Sequence, residues 1–240
     1  MVKKWNVTIP KLSGDKPRRA YICLPDSYEK DKTKRYPVMY IFDGHNVFFD
    51  EDATFGKSWG MEQYLQETGK ELIIVAVECN HEGNHRLEEY SPVTFENATL
   101  GKIKGRGRVY MNWLVNTLKP EIDAKYRTLP DRLNTIICGS SMGGLMALYA
   151  GAQYNHVFSK AACVSSAIGF CVRPLLKCLR SCAIGHDSRF YLSWGTREAY
   201  GLKDPTREDR SSRTYKWNRQ AAAILAEKNA DVKLYCQVEG

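Results

Sequence analysis

The sequence predicts an α/β fold with a mostly parallel central sheet and helices on both faces. Short apolar runs alternate with helical patterns along the chain, as expected for a layered α/β protein. Most of the later runs are continuously apolar, which is typical of parallel strands covered on both faces. No internal repeat or linker divides the 240 residues, so we expect a single domain over residues 1–240.

The predicted strands cover residues 19–24, 37–42, 72–78, 134–138, 160–165, 189–194 and 232–238. Helices are predicted at residues 109–126, 143–154 and 211–229. In the first helix, Met111, Leu114 and Leu118 recur at spacings of three and four, which indicates one apolar face. Pro120 is expected to kink or interrupt this helix.

Composition and charge argue against nucleic acid and membrane partners. The net charge is +8, but the basic residues are scattered, and the densest cluster, residues 102–108, is expected to be a solvated, mobile loop. We therefore expect no nucleic acid partner. No apolar run is long enough to cross a membrane, so no membrane association is expected. The sequence leaves the oligomeric state open.

The eight cysteines contain no C-x-x-C pair, and no Cys/His cluster has zinc-finger spacing. We therefore expect no metal site and reduced, buried thiols. Reduced thiols and the lack of an apolar leader favour a cytoplasmic protein, or a secreted one if a leader has been removed.

One segment carries chemistry. Gly139-Ser140-Ser141-Met142-Gly143 is a G-x-S-x-G pattern between a predicted strand and a predicted helix, the context of a nucleophile elbow. Glycines allow a close approach of strand and helix, and the helix N-terminus offers free N–H groups to a developing oxyanion. The alternative is a glycine-rich turn that serves only packing.

Four segments resemble a known family. They are Tyr36-Pro37-Val38-Met39-Tyr40-Ile41-Phe42-Asp43-Gly44-His45-Asn46, Ser58-Trp59-Gly60, Glu89-Tyr90-Ser91-Pro92 and Gly139-Ser140-Ser141-Met142-Gly143-Gly144. Together they resemble the esterase family of α/β-hydrolases that includes esterase D-like enzymes, enterochelin esterases, mycolyltransferases and feruloyl or acetyl-xylan carbohydrate esterases. The resemblance implies the α/β-hydrolase fold and a serine esterase that needs no cofactor.

The resemblance also implies residue roles. Ser141 would be the nucleophile, and the Met142 N–H one arm of the oxyanion hole. The second arm would come from the loop that carries Gly44 and His45. The triad acid would be Glu198, with Asp204 as the reserve candidate. The remaining family positions, expected to line the substrate pocket, are Trp59, Arg86 and Tyr90.

The triad histidine is missing from its expected position. Its place in such enzymes is the loop after the last strand, but no histidine follows His186. We expect the domain to lack its C-terminal His loop and last helix. Two alternatives stay open: another histidine serves as base, or the protein is a pseudo-enzyme.

The resulting prediction is a serine esterase that hydrolyses carboxylic esters through an acyl-enzyme. The expected partner is a small-molecule or carbohydrate ester, with carbohydrate-linked acyl esters as the leading class. The alternatives are a catalytically silent binding protein on the same fold and an acyltransferase.

Overall fold

The computed structural model describes residues 1–199, 201 and 204–239, with ten strands in the described part. The strands are, in chain order, Val2–Val7 (β1), Arg18–Cys23 (β2), Val38–Phe42 (β3), Ile73–Val77 (β4), Phe95–Asn97 (β5), Gly101–Ile103 (β6), Thr135–Ser140 (β7), Lys160–Val164 (β8), Arg189–Gly195 (β9) and Asp231–Gln237 (β10). Eight of them form one sheet in the order β1-β2-β4-β3-β7-β8-β9-β10, and β5 and β6 form a separate hairpin.

The sheet is mostly parallel. All neighbouring strands from β4 to β10 pair in parallel, whereas β1 and β2 join as antiparallel strands at one edge. The seven predicted strands are confirmed within one or two residues. β1 and the β5–β6 hairpin were not predicted, and the hairpin corrects the mobile loop expected at residues 102–108 because it buries Ile103.

The α-helices pack on both faces of this sheet. They are Pro10–Ser13 (α1), Met61–Thr68 (α2), His85–Glu89 (α3), Gly107–Trp113 (α4), Lys119–Lys125 (α5), Met142–Gln153 (α6), Val172–Ser181 (α7) and Arg213–Glu227 (α8). α4, α6, α7 and α8 contribute to the larger core, and α2 packs on the opposite face through Leu65. The predicted α/β-hydrolase architecture is therefore confirmed. In the part of the chain that the structure describes, no helix has the length and apolar character that a membrane span requires.

The region around Pro120 differs from a simple kink. A π-helical segment, Leu114–Leu118, joins α4 directly to α5. Proline has no N–H to donate, so a regular helix would lose a hydrogen bond at Pro120. The wider π turn precedes it, with the Lys119 N–H bonded to the Leu114 carbonyl, and the helical path continues.

One face of the sheet stays partly uncovered over β7 to β10. Ile136, Ala162 and Tyr191 point away from the larger core, and all three are only half-buried. Tyr235 on β10 is 48% exposed on the same face. Ile136, Ala162 and Tyr191 border a surface cavity of about 280 Å³ that Lys233 also lines. An α/β sheet normally buries such a face, so this surface has room for a further covering element.

The turn between β7 and α6 places Ser141 in a rare backbone conformation, φ 56° and ψ −118°. Two glycines make the turn sterically feasible. A Cβ on Gly139 would lie 2.5 Å from the carbonyl carbon of Gly143, and one on Gly144 would lie 2.6 Å from the Val164 oxygen. The Ser141 N–H donates to the Val164 carbonyl at 3.0 Å. This hydrogen bond anchors the turn to β8 and stabilises the strained backbone of Ser141.

This strain predicts an unusual stability effect. Left-handed backbone at a non-glycine residue costs about 1–3 kcal/mol, and glycine relieves most of that cost. We expect Ser141→Gly to be more stable than Ser141→Ala by about 1 kcal/mol in urea unfolding, because alanine keeps the strain.

Ser140 provides the matched control. It ends β7 and is not among the residues with positive φ, so Ser140→Gly should destabilise the protein by about 0.5–1 kcal/mol. Equal stability of the Ser141→Gly and Ser141→Ala variants would contradict a strained elbow.

Candidate active site

The site lies at the carboxyl edge of the parallel strands. Asp43 follows β3, Ser141 follows β7, Ser166 follows β8 and Glu198 follows β9. Because parallel strands present their carboxyl ends at one edge, these loops converge there, where ligands bind in open α/β sheets.

Ser141 is exposed at the tip of its turn, directly before α6. Its Oγ makes no hydrogen bond to any other described residue. Met142 is the first residue of α6, and the first N–H groups of a helix have no partner within the helix. The serine hydroxyl therefore stands beside free backbone donors and the positive end of the helix dipole.

The loop after β3 forms a tight 3₁₀ turn over Gly44–Asn46. Gly44 lies against β4 so closely that a Cβ would come within 2.7 Å of the Ala76 carbonyl carbon. The Asp43 N–H already donates to Tyr90 Oη at 3.1 Å. The N–H groups of Gly44 and His45, next along the chain, make no backbone hydrogen bond to another described residue and are the donors that this loop can offer.

Arg86 lines the cavity of about 450 Å³ beside Ser141, in agreement with its expected pocket position, but its charge is paired within the protein. Its guanidinium donates to both oxygens of the Asp43 carboxylate, from Nε at 2.7 Å and from Nη2 at 2.8 Å. Asp43 is buried, so this bidentate pair neutralises a charge that burial would otherwise make costly. Arg86 therefore positions the loop after β3, because its charge is already paired within the protein.

Tyr90 differs from the expected pocket position. It is completely buried in the core, packed between Phe42 and Tyr110 with ring centroids 5.0 and 5.4 Å away. Its hydroxyl reaches the site only through the Asp43 N–H. The resemblance implied a pocket-lining role for Tyr90, but its contact is with the loop after β3.

Two cavities open beside Ser141. The first, of about 450 Å³, is lined by His45, Phe55, Lys57, Trp59 and His81 together with Ser141. Trp59 is 37% exposed and Phe55 is 92% exposed, so two aromatic rings are available at its rim. The expected placement of Trp59 agrees with this geometry. Phe55 was not predicted, because an isolated aromatic residue in a loop carries no motif.

The second cavity, of about 290 Å³, lies on the other side of Ser141. Glu198, Trp194 and Trp217 line it together with Ser166. The Ser166 Oγ is buried and has no hydrogen-bond partner among the described residues. Such an orphaned polar atom is costly, and this wall of the cavity therefore suits a polar group that enters it.

The two acid candidates have different surroundings. Glu198 faces the second cavity, and its Oε1 accepts a hydrogen bond from the Gly195 N–H at 2.8 Å. Asp204 accepts hydrogen bonds from Thr206 N and Oγ1, and these bonds lower the pKa of its carboxyl group. Among the described residues that line the two cavities, Glu198 is present and Asp204 is absent.

None of the five histidines contacts the serine hydroxyl through a hydrogen bond in the described structure. His85 bonds to Glu88, and His156 and His186 are exposed in turns. His45 is buried, and this burial lowers its pKa. Its ring contacts His81, with centroids 4.6 Å apart. Cys79 and His81 also line the first cavity. Neither was predicted, and the one clue in the sequence was their position just after β4.

Two curated proteins are similar to this chain in sequence. The chain is 26% identical over 152 residues to the uncharacterized protein YbbA of Bacillus subtilis, covering 62% of this chain and 56% of that protein. It is 30% identical over 142 residues to Esterase Rv1288 of Mycobacterium tuberculosis, covering 59% of this chain and 27% of that protein. The chain therefore spans about half or less of the length of these curated relatives.

The structure of an IroE-like serine hydrolase from Shewanella oneidensis matches the fold. Its TM-score is 0.70 at 18% sequence identity, and the match covers 98% of this chain and 72% of that chain. At this identity the likeness supports the fold alone. The family model described as "Putative esterase" matches residues 13–239, and the chain belongs to that family.

Proposed function

We propose that this chain is the core of a serine esterase that hydrolyses carboxylic esters through an acyl-enzyme on Ser141. The observation that carries the proposal is the strained, exposed Ser141 at the start of α6, between a cavity with backbone donors and a cavity with a carboxylate. This is the arrangement that acyl transfer requires.

In the proposed reaction, Ser141 Oγ attacks the ester carbonyl and gives its proton to a base. The tetrahedral oxyanion accepts hydrogen bonds from the Met142 N–H and from the Gly44 or His45 N–H. The Asp43 N–H is occupied by Tyr90, which leaves these next groups as the second arm. The C–O bond then breaks, the alcohol leaves with the proton, and water later releases the acid from Ser141.

Glu198 is the proposed triad acid. A carboxylate in this position holds an imidazole in the correct tautomer and stabilises the imidazolium that forms. Its place on the second cavity supports this role, as does the open volume between Glu198 and Ser141. The unpartnered Ser166 Oγ on the same wall suits an imidazole nitrogen.

The base is proposed to come from residues that follow Gly240. The end of β10 lies beside the Glu198 loop, because the Thr196 N–H donates to the Gln237 carbonyl and the Glu239 N–H donates to Thr196 Oγ1. A residue soon after Glu239 would therefore emerge next to the second cavity. A helix after that loop would also cover the half-exposed face at Tyr191 and Tyr235.

The lining of the first cavity favours a substrate ester that carries a flat ring or a sugar. Phe55 and Trp59 offer exposed aromatic faces, which stack on such groups, and Lys57 adds a positive charge at the rim. Arg86 adds none, because Asp43 pairs it. Carbohydrate-linked acyl esters and aromatic acyl esters are accordingly the proposed substrates.

The first test compares the chain with a version extended past Gly240, using p-nitrophenyl acetate. We expect the extended form to be active and Ser141→Ala to lower its kcat by about 10³-fold or more, because the nucleophile is lost. Labelling by a fluorophosphonate probe should follow the same pattern.

Two outcomes would contradict the proposal in different ways. If the extended form neither hydrolyses esters nor reacts with the probe, a silent binding protein is the better explanation. If the form that ends at Gly240 is as active as the extended one, the base lies within residues 1–240. Added alcohol acceptors in the same assay distinguish acyl transfer from hydrolysis.

A second test separates the two acid candidates. In the extended form, Glu198→Gln should lower kcat by about 10³–10⁴-fold, because an amide leaves the imidazole in the wrong tautomer. Asp204→Asn is the matched control and should keep kcat within about twofold, since its carboxylate bonds to Thr206. A large loss with Asp204→Asn and none with Glu198→Gln would reverse the assignment.

A further inference from the structure

Three metal-ligating side chains meet at the carboxyl ends of β3 and β4. They are His45, Cys79 and His81, and their ligand atoms all lie within 4.8 Å of one another. Cys79 Sγ is 3.9 Å from His81 Nδ1. All three line the first cavity beside Ser141, and the proposed esterase mechanism uses none of these side chains.

The outer nitrogens of both imidazoles are held by oxygen atoms. His45 Nε2 lies 3.0 Å from Thr54 Oγ1, and His81 Nε2 lies 2.9 Å from a Glu78 carboxylate oxygen. An ionised carboxylate only accepts hydrogen bonds, so Glu78 holds the proton of His81 on Nε2. The lone pair of His81 Nδ1 is therefore directed toward Cys79.

A buried nitrogen of His45 gives a second indication of a ligand at this cluster, independent of the spacing of the three side chains. The residue is only 5% exposed, and its Nδ1 has no hydrogen-bond partner among the described residues. A buried polar nitrogen without a partner is costly. In metal sites, a histidine binds the ion with one nitrogen while the other is held by an oxygen, and both histidines have this arrangement.

We propose that His45 Nδ1, Cys79 Sγ and His81 Nδ1 bind a zinc-class divalent cation. A His₂Cys set with borderline and soft donors favours zinc over magnesium or calcium. Tetrahedral zinc bonds of about 2.0–2.3 Å need donors about 3.3–3.8 Å apart, so each donor moves by about 1 Å or less. Cys79 gives its proton to solvent, and water takes the fourth position.

The nearby charges are compatible with a cation. Burial lowers the pKa of His45, the carboxylates of Asp43 and Glu78 raise it, and His81 and Arg86 lower it. Arg86 is already paired with Asp43 by two hydrogen bonds. The bound ion would tie the loop after β3 to the loop after β4, and it would stand in the cavity beside Ser141.

The test is direct zinc binding by calorimetry to the tag-free chain after chelator treatment, with cobalt as a spectroscopic probe. We expect one zinc ion per chain and a thiolate-to-cobalt charge-transfer band. His81→Ala and Cys79→Ser should each weaken zinc binding by about 100-fold and remove that band or shift it. Glu78→Gln should weaken binding by about 10-fold, because it only orients His81.

Two variants serve as controls. His85→Ala removes a nearby histidine, the first residue of α3, that does not line the cavity. Cys178→Ser removes a rival thiol whose sulfur is 3.7 Å from that of Cys182. Both should bind zinc as the parent chain does. The His81 side chain is 53% exposed, so its variant should fold even if Cys79→Ser does not.

The proposal is overturned if the parent chain binds no zinc, or if His81→Ala and Cys79→Ser bind it unchanged. Loss of binding in Cys178→Ser would assign the ion to the other thiol pair. Because these readouts need no ester turnover, they stand apart from the proposed esterase activity.

Discussion

The backbone of Ser141 is the constraint on which the site depends. Its turn brings β7 and α6 so close together that Gly139 and Gly144 have no room for a Cβ. In return the serine hydroxyl is lifted clear of the sheet, and the free N–H groups of α6 face the same point. Strain here is compensated by the hydrogen bond from Ser141 to β8, so stability and chemistry are coupled at one residue.

The loop after β3 depends on a second constraint, a pair of linked ion pairs below the site. Asp43 is fixed by Arg86, and Arg86 belongs to α3. α3 is in turn anchored by an ion pair between Arg18 of β2 and Glu89, with side chains 5% and 2% exposed. Removing one member of such a pair leaves an uncompensated charge in the core. The proposed oxyanion loop is thereby tied to the antiparallel edge of the sheet.

Much of the fold could be predicted from the sequence, because apolar runs report burial directly. β1 was missed since Val2–Val7 contains two adjacent lysines and has no buried residue, as an exposed edge strand can. For the site, the elbow at Ser141 could be predicted from the local G-x-S-x-G spacing. Trp59 lines the first cavity, as the resemblance implied. The pairing of Arg86 and the burial of Tyr90 do not follow, because a motif does not identify the partner of a side chain. The meeting of His45 with Cys79 and His81 requires the adjacent pairing of β3 with β4.

Ser141 lies between two cavities that have different roles in the proposed enzyme. The first cavity carries the aromatic rim and the cluster of His45, Cys79 and His81, whereas the second carries Glu198. β10 is the neighbour of β9, so the proposed base after β10 would reach Glu198 and Ser141 without crossing the first cavity. A cation at the histidine and cysteine cluster would occupy only the substrate side. It would therefore act on ester binding and on the loop after β3, and it would leave the path of the proton unchanged.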